Sequence, residues 1–275
     1  NHAGAMTDDI HKVGLLGVVY ASQGLAPGFA FAAVPVLLRM QGVSLVGVGL
    51  AGLLLLPMCL KFLLGPWADR LAARGLARTW MGGLQVAVAV CFAALTVLPP
   101  ARGVAPFVAV VGLAYLLVAA VDVITDGIAV RLLSPEERPL GNAAQYGGYY
   151  AGAILSGGLF LAVEPKFGWA PAVTALALMI LAGLTAARAL PEPPRPVRAG
   201  AQNGGQRASV LRFLFGPIAW QVLLLLLVLD MPQNVGIAMV ALFLVDAKLT
   251  QAQVGLVYGT AGMIAAAAGA VLGGA

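Results

Sequence analysis

Long apolar segments dominate this chain and restrict the folds open to it. A helix needs about 20 mainly apolar residues to cross a hydrocarbon core about 30 Å thick, and eight segments of the sequence meet that requirement. The composition agrees, since 61% of the 275 residues are hydrophobic and only 10% are charged. We therefore predict an all-α integral membrane protein with spans over residues 13–38, 46–66, 79–98, 104–132, 142–163, 170–190, 213–245 and 251–275.

A segment without apolar periodicity separates the sixth span from the seventh. It reads PEPPRPVRAGAQNGGQRAS over residues 191–209, and its Pro, Gly and Arg content is typical of extended or flexible linkers. Because the last apolar segment has no polar tail after it, we expect the sequence to be truncated within a second bundle. The predicted organisation is a cytoplasmic tail over 1–12 with Met6 as the native start, a six-helix bundle over 13–190, a linker over 191–212 and the start of a C-terminal bundle over 213–275.

Basic residues are distributed unevenly among the loops. With a cytoplasmic N-terminus, twelve Lys and Arg residues fall on the cytoplasmic side and four on the other, as the enrichment of Lys and Arg in cytoplasmic loops requires. The same loop residues explain the net charge of +5, which argues against nucleic acid as a partner. The twelve are Lys12, Lys61, Arg70, Arg74, Arg78, Arg131, Arg138, Arg188, Arg195, Arg198, Arg207 and Arg212, and the four are Arg39, Arg102, Lys166 and Lys248.

Two acidic residues lie inside the fourth span, in the segment VDVITDGIAVR. Asp122 and Asp126 share one helix face because they are four residues apart, and Asp122 lies about 13.5 Å from Arg131 at the end of the span. A carboxylate at that depth costs about 2.5 to 3.5 kcal/mol, and burial beside a like charge favours its protonated form. We predict proton coupling or substrate contact. The alternative is that one or both acids pair with Lys or Arg of another helix and serve only the structure.

The seventh span carries a third interior acid, Asp230, in the segment LVLDMPQNVG. Pro232 removes a helix hydrogen bond, and Gln233 and Asn234 follow it directly. Since broken helices near the midplane build substrate sites in transporters, we expect this helix to break and to place Asp230, Gln233 and Asn234 at a cavity. A proline kink packed against neighbouring helices is the alternative.

Polar residues beside glycines mark the first and fifth spans. The segments are YASQGLAPGF and NAAQYGGYYAGAILSGG. We interpret Gly148 and Gly152 as sites of close helix packing, because small residues four apart let helix backbones approach. The residues predicted to line a substrate cavity are Gln23, Gln145, Tyr146 and Tyr149.

Cysteine and histidine are too few and too dispersed for a metal or cofactor site. Cys59 and Cys91 both lie in apolar runs, and His2 and His11 both lie near the N-terminus, so the sequence offers neither a zinc pattern nor a Ser-His or Cys-His constellation. We predict no metal, no cofactor and no enzyme. A membrane enzyme with an aspartate pair from the fourth and seventh spans remains an alternative, as does a non-transporting receptor.

The loop after the second span reads GPWADRLAARGLAR. Gly65, Asp69, Arg70 and Arg74 fit a G-x-x-x-D-R pattern followed by a basic residue, although Ala72 stands where the pattern usually has Gly. This loop resembles the cytoplasmic gating motif between the second and third helices of the major facilitator superfamily.

The whole chain resembles the first eight helices of a twelve-helix transporter of that superfamily. It is most similar to a branch that contains the muropeptide permeases and the rhizobactin and pyochelin siderophore importers of Gram-negative inner membranes. The resemblance rests on YASQGL, LPMCLKFLLGPWADR, DVITDGIAVRLLSPEERPLGNAAQYGGY and the Asp230 region. It implies that Asp69 and Arg70 steady the cytoplasmic gate, and that Asp122, Asp126 and Asp230 occupy the acidic positions of the fourth and seventh helices.

The resemblance and the interior acids together predict a secondary active transporter. We expect a monomer in the lipid bilayer of the bacterial inner membrane that takes up a siderophore-like small molecule by proton symport and alternating access. Uptake of a muropeptide or another solute is the alternative within the same superfamily. Sodium coupling and facilitated diffusion are the alternatives to proton symport.

Overall fold

The computed structural model of the chain describes residues 2–191, 193, 216–265 and 268. Within these ranges the fold is helical and contains no strand, which confirms the predicted all-α class. Six helices are long and apolar enough to cross a membrane. They are α1 His11–Met40, α2 Leu45–Ala73, α3 Ala77–Leu95, α4 Val104–Leu132, α5 Arg138–Phe167 and α6 Trp169–Ala189.

Two further helices follow the region predicted as a linker, most of which lies outside the described residues. The seventh, α7, spans Pro217–Asp246. The eighth, α8, begins at Gln251 and runs through Gly262. A capping box opens α8, because the Thr250 side chain accepts from the backbone N–H of Gln253 while the Gln253 side chain bonds back to Thr250, which satisfies two otherwise free backbone donors.

The seventh helix does not break at Pro232, and that expectation was wrong. The helix is continuous from Pro217 to Asp246. A proline removes one helix hydrogen bond at a cost of about 3 kcal/mol, and a 30-residue helix with intact turns on both sides can lose that bond and continue. The side chains of Asp230, Gln233 and Asn234 lie outside the described residues.

An aromatic cluster joins five of the first six helices at one end of the bundle. The ring of Phe29 in α1 packs edge-on against Phe92, Phe107 and Phe160 at centroid distances of 5.6, 6.3 and 5.1 Å. Trp169 at the start of α6 joins the cluster, and its indole N–H donates to the Leu95 carbonyl over 2.6 Å. These edge-to-face contacts hold the ends of the helices together beyond their simple burial.

A second apolar cluster fills the other end of the bundle. On α1 it includes Leu16 and Val19, while the first cluster continues from Leu25 onward. Between them lie Ser22 and Gln23, both buried. The bundle therefore has an apolar core at each end and a polar layer between the two.

Helices α1 and α5 pack with their backbones in direct contact. A Cβ atom on Gly24 would meet the Tyr149 carbonyl, and one on Gly152 would overlap the Ala21 carbonyl oxygen. The predicted packing role of Gly148 and Gly152 is thus confirmed, since a Cβ on Gly148 would likewise strike the backbone of Gly17.

Substitution of Gly152 by alanine is expected to destabilise the protein by about 1 to 3 kcal/mol, because the added methyl group must push α1 away from α5. Gly147→Ala is the matched control, since its Cβ meets nothing within 4 Å and alanine is about 1 kcal/mol better than glycine inside a helix. Unfolding in mixed detergent micelles measures both. Equal stability of the two variants would contradict the packing described.

Candidate functional site

The two acids of α4 meet a lysine from α2 inside the bundle. Lys61 Nζ donates to Asp122 Oδ2 over 2.5 Å and lies 4.0 Å from Asp126 Oδ2. The side chain of Asp122 is 6% exposed, against 36% for Lys61 and 38% for Asp126. The two carboxylates therefore share one cation, with the more buried acid in the closer contact.

The position of Lys61 corrects the loop assignment made from the sequence. Lys61 was counted with the residues of the cytoplasmic side, although the predicted second span, 46–66, already contained it. The helix α2 continues to Ala73, about 18 Å beyond Lys61 at 1.5 Å per residue. The lysine is therefore inside a span, as the segment LPMCLKFLL, with apolar residues on both sides of a single lysine, also indicates.

Asp126 is oriented by two neutral side chains. The hydroxyl group of Tyr20 in α1 and the Nε2 amide of Gln145 in α5 both donate to Asp126 Oδ1, each over 2.9 Å. Its other oxygen faces Lys61. Three helices thus converge on one carboxylate, which leaves Asp126 fixed in direction yet partly accessible.

Two tyrosines of α5 lie near this charge cluster. Tyr146 is 66% exposed and lies near Lys61. Tyr149 is more buried and lies near Asp122. Together with Gln145 they border the accessible side of the cluster, and their contact with substrate stays a prediction.

Gln23 lies in the packed interior and not on this accessible side. It is 2% exposed, and its Nε2 donates to Thr125 Oγ1 over 2.7 Å. Thr125 in turn donates to the Val121 carbonyl of its own helix. In this conformation Gln23 cross-links α1 to α4 one residue away from Asp126, so it does not support the predicted role in a cavity wall.

A second polar bridge, not predicted from the sequence, lies in the same layer. Gln85 of α3 donates to Ser22 Oγ over 2.8 Å and to the Ile180 carbonyl over 3.1 Å. Gly183 of α6 makes room for it, because a Cβ there would collide with Ser22. This bridge ties α1, α3 and α6 together behind the charge cluster.

The residues of the predicted gating motif lie at the end of α2. Gly65 and Asp69 fall on its last helical segment, Gly65–Ala73, and the turn to α3 closes at Gly75 with φ of 71°. Asp69, Arg70 and Arg74 are exposed. Asp69 at the end of α2 lies near Arg131 at the end of α4.

Polar contacts fasten α7 and α8 to the first six helices at the opposite end. Arg39 at the end of α1 binds Asp246 at the end of α7 through Nη2 and Nε, at 2.7 and 2.8 Å from Oδ1. Gln251 at the start of α8 donates to Glu164 of α5 over 2.8 Å. The helix ends on this side are therefore joined across the two parts of the chain.

Comparison with known proteins agrees with this architecture. Residues 15–275 match the family model described as Major Facilitator Superfamily. Over 242 residues the chain is 27% identical to the anhydromuropeptide permease of Escherichia coli (strain K12), which covers 86% of this chain and 49% of that protein. The permease of Escherichia coli O157:H7 gives the same figures.

A third relative is an uncharacterized protein of Haemophilus influenzae. It is 28% identical over 163 residues, or 58% of this chain and 38% of that protein. The chain spans about half the length of the permeases it matches. These similarities confirm the resemblance to the branch that contains the muropeptide permeases.

Proposed function

Because the chain belongs to the Major Facilitator Superfamily, we propose that it works as a secondary transporter that couples uptake of a small anionic solute to proton binding at Asp122. The observation that carries this proposal is the ion pair between Lys61 of α2 and Asp122 of α4. Both charges lie inside membrane spans, where an unpaired ion costs several kcal/mol.

Protonation of Asp122 changes what Lys61 can bind. A neutral carboxyl group no longer balances the ammonium charge, so the ammonium group becomes the cation for an anionic group of the solute. By linkage, a bound anion at Lys61 favours protonation of Asp122 to the same extent. Proton and solute therefore bind together and cross together, which is symport.

Asp126 serves in the proposal as the second acid of the pair. It lies 4.0 Å from Lys61, farther than the 2.5 Å contact of Asp122, so Lys61 stays available to the solute when Asp122 takes up a proton. Tyr20 and Gln145 fix its orientation. We propose Tyr146 and Tyr149 as solute contacts on the same side, and Asp230, Gln233 and Asn234 as the contribution of α7.

Alternating access needs one closed end at a time. We propose that the bonds from Arg39 to Asp246 and from Gln251 to Glu164 close one end, and that Asp69 and Arg70 of the predicted gating motif act at the other. Without Lys61, which lies inside a span, eleven basic residues remain on the predicted cytoplasmic side and four on the other. This excess still favours a cytoplasmic N-terminus. We propose the bacterial inner membrane as the location and a monomer as the working unit.

The solute is proposed to carry a carboxylate. Muropeptides are the first class to test, because two of the relatives are named anhydromuropeptide permeases and a peptide supplies carboxylates for Lys61. Siderophores are the second class, since uptake of a siderophore-like molecule is the expectation from the sequence resemblance that includes TDGIAVRLL and ERPLGN.

Uptake by proteoliposomes tests the proposal. The full-length protein is reconstituted, an inward proton gradient is imposed, and radiolabelled anhydromuropeptide and a ferric siderophore are offered in parallel. We expect concentrative uptake of one class that disappears when a protonophore is added. Uptake that is unaffected by the protonophore would contradict proton coupling, and no uptake of either class would contradict the solute assignment.

A further inference from the structure

A cavity opens between the ends of α3 and α6. Its volume is about 400 Å³, and Arg78, Thr79, Gly83, Val86, Leu184 and Arg188 are among its lining residues. The two last helices pack against α1 and α5, and neither their described residues nor those of the Lys61 cluster line the cavity.

Two arginines line the cavity mouth. Arg78 Nη2 donates to the carbonyl groups of Ala187 and Arg188, over 3.2 and 2.7 Å. These bonds hold the guanidinium group at the end of α6 through one of its three nitrogens, while a guanidinium offers five N–H donors. Arg188 is exposed beside it. Two planar guanidinium groups at one opening offer positive charge and N–H donors with the geometry that a phosphate group accepts.

The inner part of the cavity is apolar. A Cβ on Gly83 would meet nothing within 4 Å, so open space lies over this residue. Val86 lies one turn further along α3 and is exposed, and Leu184 lines the cavity from α6. An apolar groove therefore runs from the arginines along α3.

The arginines lie at the level where headgroups are found. Arg78 is at the start of α3 and Arg188 at the end of α6. At the same end, Trp67 and Trp80 pack edge-on with ring centroids 5.6 Å apart, and tryptophan is enriched at the boundary between lipid and water. The groove below the arginines therefore extends into the hydrocarbon region.

We propose that this cavity binds one anionic phospholipid, with the phosphate between Arg78 and Arg188 and an acyl chain over Gly83 and Val86. Basic pockets between membrane helices bind anionic headgroups, and here the charged mouth and the apolar groove are continuous. This proposal rests on the geometry of the cavity and not on the proposed function.

Native mass spectrometry of the full-length protein tests the site by titration with phosphatidylglycerol and with phosphatidylcholine of the same chains. We expect preferential binding of phosphatidylglycerol, reduced about fivefold by Arg188→Gln, the effect of one basic residue near the surface. Gly83→Leu should reduce binding without a change of charge. Arg138→Gln, an exposed arginine outside the cavity, should leave it unchanged.

Three results would overturn the proposal. They are equal binding of the two lipids, equal effects of Arg188→Gln and Arg138→Gln, and full displacement of the lipid by soluble glycerol phosphate at matched concentration. The last result would make the site a pocket for free phosphate. Since Arg188 and Gly83 are exposed, neither variant requires repacking of the core.

Discussion

Replacement of Lys61 by methionine is expected to lower the free energy of unfolding by about 3 to 5 kcal/mol at neutral and alkaline pH. Methionine keeps the apolar stem of the lysine but removes the charge, which leaves the Asp122 carboxylate, 6% exposed, without its cation. Unfolding in mixed micelles at neutral pH measures the effect.

A double substitution identifies the cause of that loss. Lys61→Met combined with Asp122→Asn removes both charges and should recover most of the stability, because neutral replacement of a buried ion pair is often tolerated. Lys166→Met, an exposed lysine at the end of α5, should change stability by no more than about 0.5 kcal/mol. Stability of the Lys61→Met variant equal to that of this control would mean that Lys61 does not hold Asp122.

Asp122→Asn is expected to abolish accumulation of the solute while exchange of solute across the membrane continues. Asparagine resembles the protonated acid, so Lys61 stays available to the anionic solute, and a loaded carrier can still move in both directions. Net uphill transport stops because no proton is released inside. Counterflow and gradient-driven uptake, measured in the same proteoliposomes, separate the two activities.

Two further variants give that prediction its controls. Glu136→Gln changes an acid that is fully exposed in the loop before α5 and should accumulate solute normally. Asp126→Asn removes the acid that is 4.0 Å from Lys61 and should have the smaller effect on accumulation. If Asp126→Asn stops accumulation while Asp122→Asn preserves it, the proton site belongs to Asp126.

Much of the fold could be predicted because the bilayer imposes the length and composition of each span. The predicted fourth span, 104–132, coincides with α4, and the other spans agree within several residues, except that the end of the eighth lies outside the described residues. The placement of Asp122 and Asp126 on one face follows from helix periodicity alone. The glycine packing of α1 on α5 was predictable for the same reason, because small residues at a spacing of four allow close approach.

The partners of the acids could not be predicted, because they depend on contacts between helices distant in sequence. Lys61 and Asp122 are 61 positions apart, and Tyr20 and Asp126 are 106 apart. The sequence predicts that Gln23 lines a cavity, but the rotation of α1 about its axis places the Gln23 side chain against Thr125 in this structure. Helix rotation is set by packing, which a single sequence specifies only weakly.

Proton movement during solute addition is the most direct test of the proposed coupling. Proteoliposomes that contain the full-length protein are suspended in weakly buffered medium without a membrane potential, and the external pH is followed when the solute is added. Wild-type protein should make the medium more alkaline as proton and solute enter together, and Asp122→Asn should abolish that change. Solute entry without alkalinisation, or alkalinisation that survives Asp122→Asn, would contradict the assignment of proton coupling to the Lys61–Asp122 pair.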